Sequence, residues 1–349
     1  MQSSYKQDEV TLLLKDISGQ VEPLENAERE RLIQSGVHYS EMLPKEHLPS
    51  EAYQATFLRA LSLYAAPTAK AVQYLCEAIL ADKGREVVLV SLARAGTPVG
   101  VLLKRYFRQF FHLEVPHYTI SIIRGKGIDK NAMRYILARH SKETLQFVDG
   151  WTGKGAIQHQ LKEAMRDFPG VDDTVAVLSD PAYAAGKCGT HEDFLIPSSC
   201  LNATVSGLIS RTFYRQDIIG ADDFHGAAYY GEFAPYDVTE TFLSAVEQQF
   251  GCDYTFGTCA AQDSRPQEEI QEIKERFQIT DINFIKPGLG EATRVLLRRI
   301  PWKILVHSLD DDTYLSHIYQ LAQEKQVTLE VYPFRYYKAC GLIRRLADT

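Results

Sequence analysis

The chain has 349 residues, is 45% hydrophobic, and carries 38 Lys and Arg against 45 Asp and Glu, a net charge of −7. This balance excludes a protein that coats nucleic acid along its whole length, and no apolar run approaches the roughly 20 residues that cross a membrane. The polar start, MQSSYKQDEV, predicts no signal peptide, so we expect a cytoplasmic protein with no membrane partner. The six cysteines show neither CxxC nor zinc-like spacing, and no metal site within the protein is predicted.

Strands and helices alternate through the first half of the chain. Residues 51–82 have apolar positions at helical spacing and predict one or two helices, divided at Pro67. Apolar runs predict strands at 86–91, 115–123, 145–148 and 174–179, and helices are predicted at 99–111, 131–140 and 156–168. This alternation is typical of a mostly parallel sheet flanked by helices, so the predicted fold class is α/β.

Three turns that follow these strands combine glycine with charged or hydroxyl side chains. The first turn carries Arg94, the second places Lys126 between glycines, and the third runs from Asp149 to Gly155 and opens a helix. Ligands of parallel sheets bind at the carboxyl ends of the strands, and a Gly-rich turn before a helix suits a phosphate group. The sequence therefore predicts a site for a phosphorylated ribose.

Together the three turns resemble the phosphoribosyltransferase family. The resemblance implies a phosphoribosyltransferase-like sheet and an enzyme that uses phosphoribosyl diphosphate with Mg²⁺ to join ribose phosphate to a nucleobase-like acceptor. It implies catalysis by Asp149, Arg94 and Lys126. It implies substrate binding by Ala93, Ala95, Gly96, Thr97, Arg124, Gly150, Trp151, Thr152, Gly153, Lys154, Gly155, Asp180 and Tyr183. The family pattern has two adjacent acids, whereas Gly150 follows Asp149 here.

Residues 10–240 also resemble the StiP family, which is found with tellurite-resistance and stress clusters and carries a cysteine protease label. Because three separate turns fit phosphate binding, we predict a phosphoribosyltransferase that makes a nucleoside-like metabolite in a stress response. One alternative is a thiol hydrolase that uses Cys200 or Cys188, both near His191 in sequence. The other is a non-catalytic ribose-phosphate sensor that acts through RNA.

The last part of the chain is predicted to be a separate, small α/β/α unit whose final helix begins at about residue 335. The predicted domains are 1–250, a linker at 251–268, and 269–349. A loop in the last unit resembles the pelota and ribosomal-protein family of RNA-binding domains. This resemblance implies RNA contacts by Lys286, Gly288, Gly290, Glu291, Thr293 and Arg294. Assembly into a homodimer is compatible with the sequence.

Overall fold

The structure is a computed structural model that describes residues 1–257 and 265–343. In the amino-terminal unit the strands are β1 (Thr11–Leu12), β2 (Lys15–Asp16), β3 (Val88–Leu92), β4 (His117–Ile120), β5 (Ile122–Ile123), β6 (Gly127–Ile128), β7 (Leu145–Trp151), β8 (Val175–Ser179), β9 (Lys187–Thr190) and β10 (Gly226–Ala227). The α-helices are α1 (Asn26–Gln34), α2 (Glu51–Lys83), α3 (Gly96–Phe111), α4 (Lys130–Leu137), α5 (Ala156–Ala164) and α6 (Thr239–Glu247). Short 3₁₀ helices in the described chain cover Tyr39–Glu41, Gly84–Glu86, Lys142–Thr144, Met165–Asp167, Pro197–Ser199, Ala203–Val205, Gly231–Tyr236 and Ile282–Phe284.

A six-stranded sheet in the order β1-β4-β3-β7-β8-β9 forms the centre of this unit, and each neighbouring pair is parallel. Successive residues of its strands face opposite sides. Leu89 and Val148 join the apolar core beneath α2, α3 and α6, while Val90 and Phe147 join the core beneath α4 and α5. Both faces are therefore buried, and the predicted α/β class with a mostly parallel, helix-flanked sheet is confirmed.

Helix α2 runs unbroken through Pro67, so the chain forms one long helix here rather than two. A proline inside a helix removes one backbone hydrogen bond and costs about 3 kcal/mol. Apolar side chains on both sides of Pro67 are buried in one core, among them Phe57, Leu61, Leu75 and Ile79. Burial of one such side chain contributes about 1.5–3 kcal/mol, so the stabilisation from packing exceeds the cost of the missing hydrogen bond.

The carboxyl-terminal unit comprises α7 (Pro266–Arg276), β11 (Ile285–Pro287), α8 (Leu289–Arg298), β12 (Pro301–Val306), α9 (Asp312–Glu324), β13 (Thr328–Val331) and β14 (Ala339–Ile343). Its sheet has the order β11-β14-β12-β13, and only β12 and β13 among the described strands of this sheet are parallel. The predicted final helix is wrong, because residues 339–343 form the buried strand β14. A small carboxyl-terminal domain is confirmed.

The two units share one apolar core, in which Leu289 and Leu315 pack with residues of α2 and α3. Asp193 of the first unit accepts hydrogen bonds from the backbone of the second. The predicted domain boundaries stay a prediction, and part of the predicted linker and the last six residues lie outside the described residues. Across the described part of the chain, no helix is both long and apolar enough to cross a membrane.

Candidate active site

A cysteine and a histidine meet at the outer edge of the parallel sheet. Cys188 lies in β9 beside Val177 of β8, and His191 follows the end of β9. The Cys188 Sγ atom is 3.6 Å from His191 Nε2 and 3.9 Å from Nδ1. Both residues are partly exposed. A thiol within reach of an imidazole is the arrangement that a cysteine nucleophile requires.

The backbone of Asp180 fixes the orientation of this imidazole. His191 Nδ1 lies 2.8 Å from the Asp180 carbonyl oxygen, which can only accept a hydrogen bond. Nδ1 therefore carries the proton of the neutral ring, and Nε2 is the unprotonated nitrogen, 3.6 Å from Cys188 Sγ. The Tyr183 ring stacks on the His191 ring with centroids 3.8 Å apart and planes at 5°. These contacts place the base next to the thiol.

The Asp180 side chain anchors the turn that carries Tyr183. Its carboxylate accepts hydrogen bonds from Thr152 Oγ1 at 2.5 Å, from Ala184 N at 3.0 Å and from Ala185 N at 3.1 Å. Burial raises the pKa of Asp180, and these hydrogen bonds oppose that rise. Asp180 Oδ2 lies 3.7 Å from His191 Nδ1. The carboxylate therefore stabilises the turn behind the imidazole.

Asp180, Cys188 and His191 are also a group of side chains that could bind a metal ion. Ligand atoms of Asp180, Cys188 and His191 lie within 4.8 Å of one another. Thiolate, imidazole and carboxylate are zinc ligands. However, the Asp180 carboxylate already accepts three hydrogen bonds, which favours a cysteine–histidine pair over a metal centre.

Cys200, the other predicted thiol, lies in a different environment. It is fully buried, and burial raises the pKa of its thiol to about 12. Its carbonyl oxygen accepts a hydrogen bond from the Tyr53 hydroxyl at 3.1 Å. Because the thiolate is the reactive form, Cys200 is poorly suited to nucleophilic attack.

Most of the predicted phosphate-binding turns line a cleft between the two units, here named the interdomain cleft. It consists of two adjoining cavities of about 520 and 410 Å³ that share Asp149, Arg211 and Lys286 among their lining residues. The residues predicted to bind substrate or act in catalysis that also line this cleft are Ala93, Arg94, Ala95, Arg124, Trp151, Thr152, Gly153, Lys154 and Gly155. Gly155 has φ +79° at the start of α5, a left-handed conformation that favours glycine.

Other predicted residues lie elsewhere. The Lys126 side chain pairs with Glu41 at 2.7 Å. Thr97 is buried and accepts a hydrogen bond from Thr119 Oγ1 at 3.2 Å. Gly96 packs α3 against β7, since a Cβ there would lie 2.3 Å from the Val148 carbonyl oxygen. Asp180 and Tyr183 both contact His191 at the edge of the sheet. Gly150 donates its N–H to Asp149 Oδ1 at 2.8 Å.

The predicted RNA loop faces the interdomain cleft from the opposite side. Lys286, Glu291 and Arg294 line it, and the Arg294 guanidinium stacks 4.3 Å from the centre of the Trp151 ring. Gly290 packs so tightly on that ring that a Cβ would lie 2.6 Å from it. Thr293 is buried, with its hydroxyl 3.0 Å from His317 Nε2, and Gly288 precedes α8. Two sets of residues predicted for different ligands thus share one cleft.

The sequence named His191 beside Cys188, three positions earlier, but it did not single out several residues of the interdomain cleft. Arg29, Arg211 and Arg298 line the interdomain cleft as well. They come from distant segments and belong to no motif, so only the fold brings them together.

Comparisons with known proteins cover nearly the whole chain. Residues 3–247 match the family model described as "Tellurite-like stress resistance cysteine protease StiP". Residues 264–345 match the model of the "PELOTA RNA binding domain". A curated relative from Acinetobacter baylyi, named "Cysteine protease StiP", is 35% identical over 98% of this chain and 94% of its own length.

These matches confirm the resemblance to StiP and to the pelota domain, and they correct the predicted activity. The prediction of a phosphoribosyltransferase is wrong, because the matching family and the curated relative are both named as cysteine proteases. A phosphoribosyltransferase fold, phosphoribosyl diphosphate and magnesium gain no support from these matches. Gly-rich turns at strand ends bind many anions, so the turns alone did not specify ribosyl transfer.

Proposed function

This chain belongs to the StiP family, and from that premise we propose that it is a cysteine protease with Cys188 as its nucleophile. The observation that carries this assignment is the 3.6 Å separation of Cys188 Sγ from His191 Nε2, with Nδ1 held by the Asp180 carbonyl oxygen. Cys200 is the weaker candidate, since its thiol is buried and its pKa is raised to about 12.

The proposed reaction follows from the His191 tautomer in which Nδ1 carries the proton and Nε2 does not. His191 Nε2 takes the proton of the Cys188 thiol while Sγ attacks the carbonyl carbon of the scissile peptide bond. Nε2 then gives the proton to the departing amine, and a thioester remains on Cys188. A water molecule deprotonated by His191 attacks the thioester, which releases a carboxylic acid and restores the thiol.

Asp180 and Tyr183 act as positioning residues in this proposal. The Asp180 carbonyl stabilises the protonated imidazole that forms during attack, because it accepts the hydrogen bond from Nδ1. Stacking on Tyr183 restricts rotation of the ring. Thr152 holds the Asp180 carboxylate from the neighbouring turn.

Hydrolysis of fluorescein-labelled casein and of a quenched peptide library tests the assignment. Cys188→Ser is expected to lower the rate by at least about 100-fold, and His191→Ala by about 10²–10⁴-fold, the range for loss of a general base. Cys200→Ser is the matched control and is expected to keep most of the activity. Loss of activity in Cys200→Ser with Cys188→Ser unaffected would reverse the assignment.

We also propose that the carboxyl-terminal unit binds RNA, on the strength of its match to the pelota RNA-binding domain. Trp302 is 42% exposed, with Lys303 Nζ 4.8 Å above its ring and Phe277 edge-on at 6.1 Å. An exposed aromatic ring suits a stacked base, and the neighbouring Lys303 also pairs with Glu330 at 2.7 Å. Lys286 and Arg294, which line the interdomain cleft, stay predicted RNA contacts.

Fluorescence anisotropy of a labelled single-stranded RNA with the full chain tests this second proposal. Trp302→Ala is expected to weaken binding by about tenfold, because stacking of one base is worth roughly 1–3 kcal/mol. Tyr236→Ala, which removes an exposed aromatic ring from the other unit, is the control. Equal binding by Trp302→Ala and the unmodified chain would argue against this surface.

A further inference from the structure

The interdomain cleft contains an excess of positive charge that the cysteine protease chemistry does not use. Away from its exposed rim, nine arginine and lysine side chains line the described cleft, against the three carboxylates of Glu46, Asp149 and Glu291. Neither Cys188 nor His191 lines it in the part of the chain that is described. This surface therefore needs an explanation of its own.

Six of these nine cations form no ion pair within the described residues: Arg29, Arg124, Lys154, Arg211, Lys286 and Arg298. Arg211 stacks on the Tyr39 ring at 4.4 Å, and Arg298 donates to the side-chain oxygen of Asn202. Within residues 1–257 and 265–343, no carboxylate lies within 4.0 Å of Arg211, Arg298 or Lys286. Arg94 and Arg294, by contrast, each reach a glutamate at 3.5 Å. The local surplus is thus concentrated on the unpaired side chains.

Two arginines in the cleft also have unused hydrogen-bond donors. The Nε atoms of Arg29 and Arg294 are buried without a hydrogen-bond partner among the described residues. Arg29 is only 3% exposed. Buried polar atoms normally have a partner, and each one that lacks it costs about 1–3 kcal/mol. Both atoms belong to side chains that line the cleft.

The same surplus is seen in the ionisation of the lining groups. Burial and neighbouring arginines lower the pKa of Arg211 to about 9. Burial together with Lys286 and Arg124 lowers the pKa of Lys154 to about 8. Like charges held together in a partly desolvated cleft repel one another, and an anion placed among them would relieve that repulsion.

We infer that the interdomain cleft binds a small anion with two or more linked phosphate groups, either inorganic or at the end of a nucleotide. A planar guanidinium group can donate two parallel hydrogen bonds to the oxygens of one phosphate. Several arginine side chains converge in this cleft. The Thr152–Gly155 turn and the amino terminus of α5 add backbone donors to the same wall. The cations lie on facing inner walls of the cleft, which favours a small ligand over a long nucleic acid.

Titration calorimetry of the full chain with sodium pyrophosphate, tripolyphosphate and ATP tests this inference. Sulfate, a single tetrahedral anion without a linked phosphate, is the comparison. Arg211→Gln and Arg298→Gln are each expected to weaken binding by at least about tenfold. Their unliganded melting temperatures are expected to stay unchanged or to rise, because each substitution removes a partly buried charge that has no carboxylate partner. Arg166→Gln, which removes an exposed arginine of the amino-terminal unit, is the control.

Each outcome has one interpretation. Tighter binding of ATP than of pyrophosphate assigns the cleft to a nucleotide, and equal affinities assign it to an inorganic polyphosphate; both support the inference. Binding that is absent, that sulfate matches in affinity, or that is unchanged in both Arg211→Gln and Arg298→Gln would overturn it. Loss of Cys188-dependent hydrolysis does not enter this test, so the two proposals fail separately.

Discussion

Asp149 lies near the end of strand β7, and its carboxylate lines the interdomain cleft. Burial raises its pKa from 3.8 to about 6, although Gly150 N–H and Arg294 both favour the ionised form. Because the folded-state pKa lies above the unfolded one, the folded protein binds the extra proton between these two values. Asp149 therefore favours folding at low pH, and this contribution is lost as the pH rises through about 6.

Asp149→Asn is expected to raise the free energy of unfolding at pH 8 by about 1–2 kcal/mol, since asparagine has no charge to bury. The gain should shrink as the pH falls from about 6 to about 4. Urea unfolding at a series of pH values measures it, and Asp167→Asn, at an exposed acid, is the control. A gain of the same size at every pH would rule out ionisation of Asp149 as its cause.

The residues of the two sites differ in how well the sequence predicts them. Cys188 and His191 are three positions apart, and Asp149 follows the apolar run 145–148, so local patterns identify all three as candidates. Arg211 and Arg298 have no such pattern, because the α/β fold alone brings these segments to one cleft. The choice between Cys188 and Cys200 likewise required burial, which spacing does not specify.

Helix α8 begins at the boundary between the two units, and the first unit supplies its capping group. The Asp193 carboxylate accepts hydrogen bonds from Leu289 N at 3.0 Å and from Lys338 N at 2.8 Å. The first backbone N–H groups of a helix have no partner within the helix. Asp193 satisfies one of them while it joins the two units.

Asp193→Ala is expected to destabilise the protein by about 3 kcal/mol, because it leaves one buried and one partly buried backbone N–H group without an acceptor. Hydrogen exchange should show the loss of protection at the start of α8 and near Lys338. Asp310→Ala, at an exposed acid of the same unit, is expected to have little effect. Unchanged exchange in Asp193→Ala would show that apolar packing alone holds the units together.

Element types were predicted well where the periodicity extended over several turns or a full strand. The helix predicted at 99–111 and the strand at 174–179 correspond to α3 and β8. The prediction failed at β14, whose five residues are all buried and therefore show no alternation between apolar and polar positions. A short buried segment of this kind depends on its neighbours β11 and β12 for its identity.

At the scale of the whole molecule, each unit contains a buried neutral histidine. His117 lies between Ser91 Oγ at 2.8 Å and the Glu9 carbonyl oxygen at 2.9 Å, and His317 contacts Thr293 Oγ1. Burial lowers the pKa of each imidazole to about 3. In the unfolded chain both would titrate near 6.5, so the unfolded state binds up to two more protons between these values.

Stability is therefore expected to fall as the pH decreases from about 6.5 towards 3, and each histidine contributes a slope of up to about 1.4 kcal/mol per pH unit. His317→Gln should reduce the slope by that amount, because glutamine does not titrate. Chemical unfolding between pH 6.5 and 4 measures the slope. His159→Gln, whose histidine side chain is 76% exposed, is the control and should leave the slope unchanged.

The whole chain also connects its two candidate sites. Thr152 lines the interdomain cleft and donates its hydroxyl to Asp180, whose carbonyl oxygen holds His191. The parallel sheet places the ends of β7 and β8 side by side, so the separation of these residues in sequence does not reveal the connection.

Site-resolved alkylation by iodoacetamide, followed by peptide mass spectrometry, tests most directly that Cys188 is the activated thiol. Cys188 is expected to react at least about tenfold faster than Cys200, because it is partly exposed and adjacent to an imidazole. His191→Ala is expected to slow Cys188 and to leave Cys200 unchanged. Faster alkylation of Cys200, or a Cys188 rate that is indifferent to His191→Ala, would contradict the assignment.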